Sequence, residues 1–175
     1  ALREKNARLI LTSITPFGNI TATTGNVAMT VQPGGTTLNT SGVTVTGSNN
    51  VTLTAPGTVS TSGVTATAGN VAITSTADGV SVGGASAGTD ITLDAVNGIG
   101  VGGMSSGTGG NGLITLTSTG VASDIYVGGS LQASNAALPV STPAITLTSG
   151  RDIVLDRINL TASTSGGVKL LAARD

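Results

Sequence analysis

A four-residue alternation of apolar and polar positions recurs along this chain. In each copy a large aliphatic residue is followed by a small or polar residue, a second apolar residue and a residue that is usually Thr. Alternation with a period of two predicts short β-strands, with the aliphatic pair on one side and Thr, Ser or Ala on the other. The seven copies start at intervals of 24, 20, 20, 23, 31 and 23 residues and are Val27–Thr30, Val51–Thr54, Val71–Thr74, Ile91–Asp94, Ile114–Thr117, Ile145–Thr148 and Val168–Leu171.

A second series of short apolar runs lies between these copies. Strands as short as these are too small to form a stable meander, whereas two interleaved repeats indicate a coil whose equivalent strands stack turn on turn. The sequence therefore predicts an all-β parallel β-helix, a β-solenoid of about 20-odd residues per turn. The members of the second series are Val43–Val45, Val64–Ala66, Val80–Val82, Ile99–Val101, Ile125–Val127 and Ile153–Leu155.

The alternation also predicts the core and the turns of this coil. Val, Ile, Leu and Ala should point inward, and Thr, Ser and Asn outward. An Asn or Asp precedes four first-series strands, either because stacked Asn26, Asn50 and Asn70 hydrogen-bond to one another as a ladder or only because Asn favours turns. One continuous buried stack is expected from Val51, Leu53, Val71, Ile73, Ile91, Leu93, Ile114 and Leu116.

The repeat defines the domain organisation. Residues 1–8 carry four charges and are expected to be an N-terminal extension or partial cap, with the repeat rod at 9–175. The segment 8–13 is similar to 113–118, which predicts a further rung there. Two stretches break the rhythm, 102–112 and 130–144. They are predicted to be loops that bulge from one side and the best candidates for a binding surface.

Four strings resemble the repeats of filamentous haemagglutinin-type adhesins, the large exoproteins of bacterial two-partner secretion. They are Gly25–Thr30, Asn50–Ala55, Asp90–Ala95 and Asp124–Gly129. The resemblance implies a right-handed parallel β-helix that forms a rod segment of a secreted or surface-exposed adhesin. It also implies an outer-membrane secretion transporter and a receptor or glycan on a host or neighbouring cell as partners. The Asn-Pro-Asn motifs of the family's secretion domain do not occur, so the resemblance implies the rod and a fragment of a longer array.

Composition narrows the functional classes. The chain has no Cys, His or Trp, which excludes disulfides, most zinc and haem sites, and Cys or His catalysis. A net charge of −1 with seven Lys and Arg residues gives no electrostatic footprint for nucleic acid. We therefore expect no enzyme activity, no cofactor, no metal and no nucleic-acid partner.

The carboxylates suggest an enzyme as an alternative to a rod, because parallel β-helix enzymes that act on acidic polysaccharides cluster such groups. Asp90 and Asp94 are spaced to lie one strand apart, as are Asp152 and Asp156 beside Arg151 and Arg157. A sugar cleft also needs stacking side chains, and the aromatic residues are Phe17 and Tyr126 alone. The aspartates are therefore expected to be solvated turn residues.

Paired threonines suggest another class of function. Thr-x-Thr pairs present two outward hydroxyls on one strand, the arrangement with which several β-solenoid ice-binding proteins meet ice. Ice binding or surface adsorption is thus the first alternative, and a phage or carbohydrate-binding β-helix is the second. Sequons at Asn19, Asn39, Asn50 and Asn159 are compatible with glycosylation but are about as many as chance gives. The pairs are Thr21/Thr23, Thr44/Thr46, Thr52/Thr54, Thr65/Thr67, Thr115/Thr117 and Thr146/Thr148.

Overall fold

The fold is a β-solenoid, as the repeat predicts. A computed structural model describes residues 2–5, 8–10, 18–31, 36–108, 111–135, 142–156, 158–162 and 166–173. These residues form 18 strands and no helix, and the strands pair in parallel in two sheets. Each turn of the coil has about 23 residues.

One sheet contains a single strand from each turn, and we call it the first face. Its register runs without a shift from Val51 through Val71, Ile91 and Ile114 to Ile145. The first series is therefore confirmed as one ladder. The eight strands of this face are β2 (Arg8–Ile10), β4 (Val27–Thr30), β6 (Val51–Ala55), β8 (Val71–Ser75), β10 (Ile91–Ala95), β12 (Ile114–Ser118), β15 (Pro143–Ser149) and β18 (Gly167–Ala172).

The predicted core stack is also confirmed. All eight residues named from the sequence have no solvent exposure. They alternate with partly exposed residues along each strand, so that the same period of two separates inside from outside. Because equivalent residues pair turn on turn, each aliphatic side chain covers the one below it, and the core is continuous along the coil.

The other sheet is bent lengthwise. In β7, Thr61 and Val64 point inward, and the two residues between them, Ser62 and Gly63, are not buried. Two consecutive outward residues break the alternation, and the strand bends at this point. The second face lies before the turn and the third face after it. The strands of this sheet are β1 (Leu2–Lys5), β3 (Ile20–Thr24), β5 (Leu38–Gly47), β7 (Val59–Ala66), β9 (Val80–Ala87), β11 (Ile99–Ser106), β13 (Ile125–Val127), β14 (Leu131–Ala133), β16 (Ile153–Leu155) and β17 (Leu160–Ala162).

Glycines make this bend possible because consecutive turns touch there. A Cβ at Gly102 would collide with the carbonyl oxygen of Gly83 in the turn below, and a Cβ at Gly129 would lie 2.5 Å from the carbonyl oxygen of Gly102. The corner therefore selects glycine for close backbone approach.

The second series is divided between two ladders. Val64 pairs with Ala85, whereas Val80 pairs with Val59. The runs Val43–Val45 and Val64–Ala66 belong to the third face, and the later runs belong to the second. The sequence does not mark the third face as a separate ladder, because its inward residues include Ala85 and Met104, which are weak markers of a strand. The 16-residue step from Val64 to Val80, shorter than any first-series interval, was the available signal.

The first residues continue the coil. β1 pairs with β3 and β2 pairs with β4, so residues 2–5 form a strand of the third-face stack. Leu9 lies opposite Met29, two residues from the place that similarity of 8–13 to 113–118 predicts. The register of this rung is thus set by pairing with β4 and not by the local sequence pattern.

Candidate functional site

The turn that leads into the first face contains an Asn ladder. The Asn26 Oδ1 accepts a hydrogen bond from the Asn50 backbone N–H at 3.0 Å, and Asn50 Oδ1 accepts one from the Asn70 N–H at 2.8 Å. Asn70 bonds in the same way to the Asp90 N–H at 3.0 Å, and Asp90 to the Leu113 N–H at 2.9 Å. The predicted ladder exists, but each side chain binds the backbone of the next turn. The ladder stabilises the fold, because its side-chain oxygens accept hydrogen bonds from backbone N–H groups that the pairing of strands does not use.

A second line of hydrogen-bonded polar side chains lies in the turn before the second face. The Asp78 Oδ2 accepts a 2.6 Å hydrogen bond from the Thr58 hydroxyl, and its Oδ1 accepts one from Asn97 Nδ2 at 3.5 Å. These two donors, Thr58 first, hold the pKa of Asp78 below its usual value. Asp78 is a turn aspartate in the middle of a structural network.

The line ends in an ion pair. Arg151 Nε donates to Asp124 Oδ1 at 2.7 Å, and Arg151 also lies 3.5 Å from Asp152. The hydrogen bonds and the charge of Asp124 raise the pKa of Arg151. The side chains of Arg151, Asp124 and Asp152 all lie partly in solvent, so these ion pairs add little to stability.

The two carboxylate pairs considered as catalytic candidates have separate roles. Asp90 belongs to the Asn ladder, and Asp94 lies on the outer side of the first face. Asp152 contacts Arg151, whereas Asp156 accepts a hydrogen bond from the Tyr126 hydroxyl at 3.1 Å. Arg157 and Phe17 lie outside the described residues.

The inserted loops meet at one corner of the coil, between the third and first faces. Strands β11 and β14 include residues 102–106 and 131–133, so the insertions are shorter than predicted, at 107–113 and 134–142. Asn111 and Asn135 form an antiparallel bridge that joins the two. Residues 109–110 and 136–141 lie outside the described residues.

The first of these loops forms one wall of a shallow groove of about 420 Å³. Among the described residues that line the groove none is charged, and their polar side-chain groups are hydroxyls and one amide. It has the chemistry to accept neutral, hydroxyl-bearing groups. The lining residues are Thr67, Ala68, Gly88, Thr89, Thr108 and Asn111.

The outer side of the first face is a regular array of small side chains. The outward pairs stack in register in the order that the sequence predicts, and Ala and Asp94 interrupt the threonines. The pairs are Ala28/Thr30, Thr52/Thr54, Ala72/Thr74, Thr92/Asp94, Thr115/Thr117 and Thr146/Thr148.

The second face has one outward residue per turn and changes character along the coil. The ladder passes from Ser81 through Gly100 to Tyr126 and Val154. Tyr126 and Val154 are each 45% exposed. The sequence marks Tyr126 only as a candidate stacking residue, because its pairing with Val154 depends on the ladder of this face.

The four sequon asparagines are all exposed, although the side chains of three of them accept hydrogen bonds from the backbone. Asn19 Oδ1 accepts from the Thr44 N–H at 3.1 Å, and Asn50 belongs to the Asn ladder. Asn39 Oδ1 accepts from the Ser41 N–H at 2.9 Å. Asn159 uses its carbonyl oxygen to accept from the Leu131 N–H at 3.0 Å.

Among the described residues, no three Asp or Glu side chains come together as a metal site would require. The same residues include no helix that could cross a bilayer. No protein-family model, curated protein or solved structure matches the chain.

Proposed function

We propose that this chain is a structural rod segment of a bacterial secreted or surface-exposed adhesin of the filamentous haemagglutinin type, mediating cell adhesion or surface attachment. The observation that supports the proposal is the uninterrupted in-register stack from β6 to β15 under small, hydroxyl-bearing outer faces. The strings that resemble the family, Gly25–Thr30, Asn50–Ala55 and Asp90–Ala95, occupy equivalent positions in that stack.

A solenoid suits a spacer because its length grows with the number of turns, by about 4.8 Å per turn. Each turn contacts only its neighbours, so turns can be added without a change in the core. No charged residue lies between Ile10 and Ala77, so the stability and contacts of this part of the coil should depend little on ionic strength. As such a segment, the chain is proposed to be non-catalytic.

The proposed partners follow from the same role. An outer-membrane secretion transporter would export the chain, and the absence of Cys suits a chain that crosses a membrane unfolded. A receptor or glycan on a host or neighbouring cell would be the adhesion target. The corner with the inserted loops 107–113 and 134–142 is the proposed contact surface.

The experiment is localisation combined with loss of function. Antibodies raised against the purified chain should label intact producing bacteria, and deletion of the coding region should reduce their attachment to cultured cells. A matched strain carries the chain with both Thr108 and Asn111 replaced by Ala. Both side chains are exposed and line the groove, so this strain tests the contact surface while the rod is retained. Labelling that requires lysis, or unchanged attachment after deletion, would refute the proposal.

Ice binding is the second candidate, and the threonine array of the first face is the observation that favours it. Thr115 and Thr117 stack in register on Thr146 and Thr148, which places four hydroxyl and methyl groups in a regular patch. A measurement of thermal hysteresis on the purified chain tests this function directly. Replacing Thr117 by Lys should abolish any hysteresis if this patch contacts ice, and no hysteresis in the unmodified chain excludes this candidate.

A further inference from the structure

The chain contains two Asn-Gly pairs, Asn97-Gly98 and Asn111-Gly112. We propose that Asn97-Gly98 is a site of spontaneous covalent modification: Asn97 deamidates through a cyclic succinimide and thereby loosens one turn of the rod with age. The proposal does not depend on the adhesin function, since it concerns the chemistry of one turn.

The reaction needs no catalyst other than the turn and water. The backbone nitrogen of Gly98 attacks the side-chain carbonyl carbon of Asn97, the Cγ–Nδ2 bond breaks, and ammonia leaves with the proton from the Gly98 amide. Water then opens the succinimide at either carbonyl. One opening converts Asn97 to Asp, and the other produces isoaspartate, in which the main chain runs through the side-chain carbon.

The fold requires glycine at the position that makes this attack easiest. Gly98 has φ of 129°, a conformation that residues with a side chain rarely adopt. A Cβ there would also lie 3.1 Å from the carbonyl oxygen of Asp124 in the next turn. The attacking nitrogen is therefore unshielded by any side chain of its own residue, for a reason that the stacking of turns imposes.

The side chain of Asn97 is held by long hydrogen bonds, and the peptide between Asn97 and Gly98 is held only on either side. Its side chain is exposed, and Nδ2 donates long hydrogen bonds, at 3.3 Å to the Ala77 carbonyl and at 3.5 Å to Asp78 Oδ1. The backbone bonds to neighbouring turns use the Asn97 N–H and the Gly98 carbonyl, on either side of the reacting peptide. Among the backbone hydrogen bonds of the described residues none uses the Gly98 nitrogen, so attack does not first require such a bond to break.

The second Asn-Gly pair is more constrained. Asn111 is bridged to Asn135, which is only 8% exposed, and Gly112 is buried. A Cβ at Gly112 would collide with the Gly107 nitrogen, so the backbone there has little room to rotate. Ring closure needs such rotation, and the fold therefore favours reaction at Asn97 over Asn111.

Modification would act on the Asp78 network. Deamidation replaces the donor Nδ2 by a carboxylate oxygen, which would face Asp78 Oδ1 at the same place and repel it. Isoaspartate adds a backbone atom between the Asn97 N–H, which bonds to the Asp78 carbonyl at 3.1 Å, and the Gly98 carbonyl, which accepts from Val80 at 3.0 Å. The turn cannot keep both bonds unchanged, and its attachment to the turns on either side weakens.

The test is incubation of the purified chain at mildly alkaline pH and physiological temperature, followed by peptide mass mapping and isoaspartate detection. We expect a one-dalton gain and isoaspartate at Asn97, accumulating several-fold faster than at Asn111. The same chain unfolded in urea provides the reference, since both pairs should then react at similar rates. An Asn97 that stays intact in the folded chain while both react in urea overturns the proposal, as does faster reaction at Asn111.

Two variants test the consequence separately. Asn97→Asp mimics the product and should lower the thermal unfolding temperature at neutral pH, where Asp78 is ionised. Asn97→Gln keeps an amide donor but disfavours ring closure, so it should retain stability and show no one-dalton gain at this position. Asn97→Asp with unchanged stability at neutral pH would show that the modification does not loosen the turn.

Discussion

The side chain of Asn50 and the main chain of Asn70, twenty residues apart, are joined by a 2.8 Å hydrogen bond between Asn50 Oδ1 and the Asn70 N–H. This bond is one step of the Asn ladder, and it ties each turn to the next at a place where the strands have not yet begun.

Replacing Asn50 by Ala should therefore lower the free energy of unfolding by about 1 kcal/mol, because the Asn70 N–H loses its acceptor. Asn50→Asp keeps an acceptor oxygen, as Asp90 does for Leu113, and should retain most of the stability. Chemical denaturation of the three proteins measures the difference. Equal losses in both variants would show that the ladder does not act through this oxygen.

Ile73→Asp should unfold the rod or reduce its stability by about 4 kcal/mol or more, because an unpaired charge would enter a dry core. Thr52→Asp is the matched control, since Thr52 is exposed on the outer side of the same face and pairs with Ala28 and Ala72. We expect the control to change stability by no more than about 0.5 kcal/mol. Similar losses in both variants, measured by circular dichroism during urea titration, would contradict the assigned burial.

Thr61→Val should stabilise the chain by about 1 kcal/mol. The Thr61 Oγ1 is buried without a hydrogen-bond partner, and Val has nearly the same shape without the unpaired hydroxyl. Thr65→Val, on the outer side of the same strand, is the control and should have little effect. A lower melting temperature for Thr61→Val, by calorimetry, would mean that its hydroxyl is satisfied in solution.

Two nearby glycines should respond in opposite ways to Ala. Gly102→Ala should cost about 2 kcal/mol or more because its Cβ would collide with the Gly83 carbonyl. Gly100→Ala should be neutral or stabilise by about 0.5 kcal/mol, since no atom lies within 4 Å of its Cβ position and glycine weakens a strand. Thermal unfolding of both variants checks the ranking, and the reverse order would mean that the turns stack differently at this corner.

The Asp78 network predicts acid sensitivity. The pKa of Asp78 is lowered in the folded chain. The contribution of Asp78 to the free energy of unfolding is therefore complete above the unfolded pKa of about 3.9 and disappears as the pH falls through the folded pKa. Asp78→Asn should make the loss of stability below about pH 4 less steep. Urea midpoints measured across this range test it, and identical pH profiles for the two proteins would exclude a role for Asp78.

The sequence reveals those parts of the fold in which one strong pattern repeats. The first face and its buried residues follow from Val, Ile and Leu at a period of two, because each such strand is recognisable alone. The third face does not follow, since Ala85 and Met104 gain their inward position from pairing with Val64 and Leu131. The bend at Ser62-Gly63 interrupts the alternation, and only the coil explains it.

The surface features were less predictable for the same physical reason. Asn ladders combine local turn chemistry with stacking, and both are visible in the spacing of Asn26, Asn50 and Asn70. The Thr58, Asp78 and Asn97 network joins three turns whose polar residues differ in type. No single-residue pattern marks it, because each turn contributes a different donor or acceptor.

The bonds between turns lie along the axis of the coil, and this has a mechanical consequence. Tension applied to the two ends would load these bonds one turn after another, so that turns would peel away singly. Each peeled turn of about 23 residues would yield roughly 75 Å of extended chain, at about 3.3 Å per residue, in place of a rise of about 4.8 Å. Under load, such a coil would act as an extensible tether that lengthens in steps and dissipates force before it breaks.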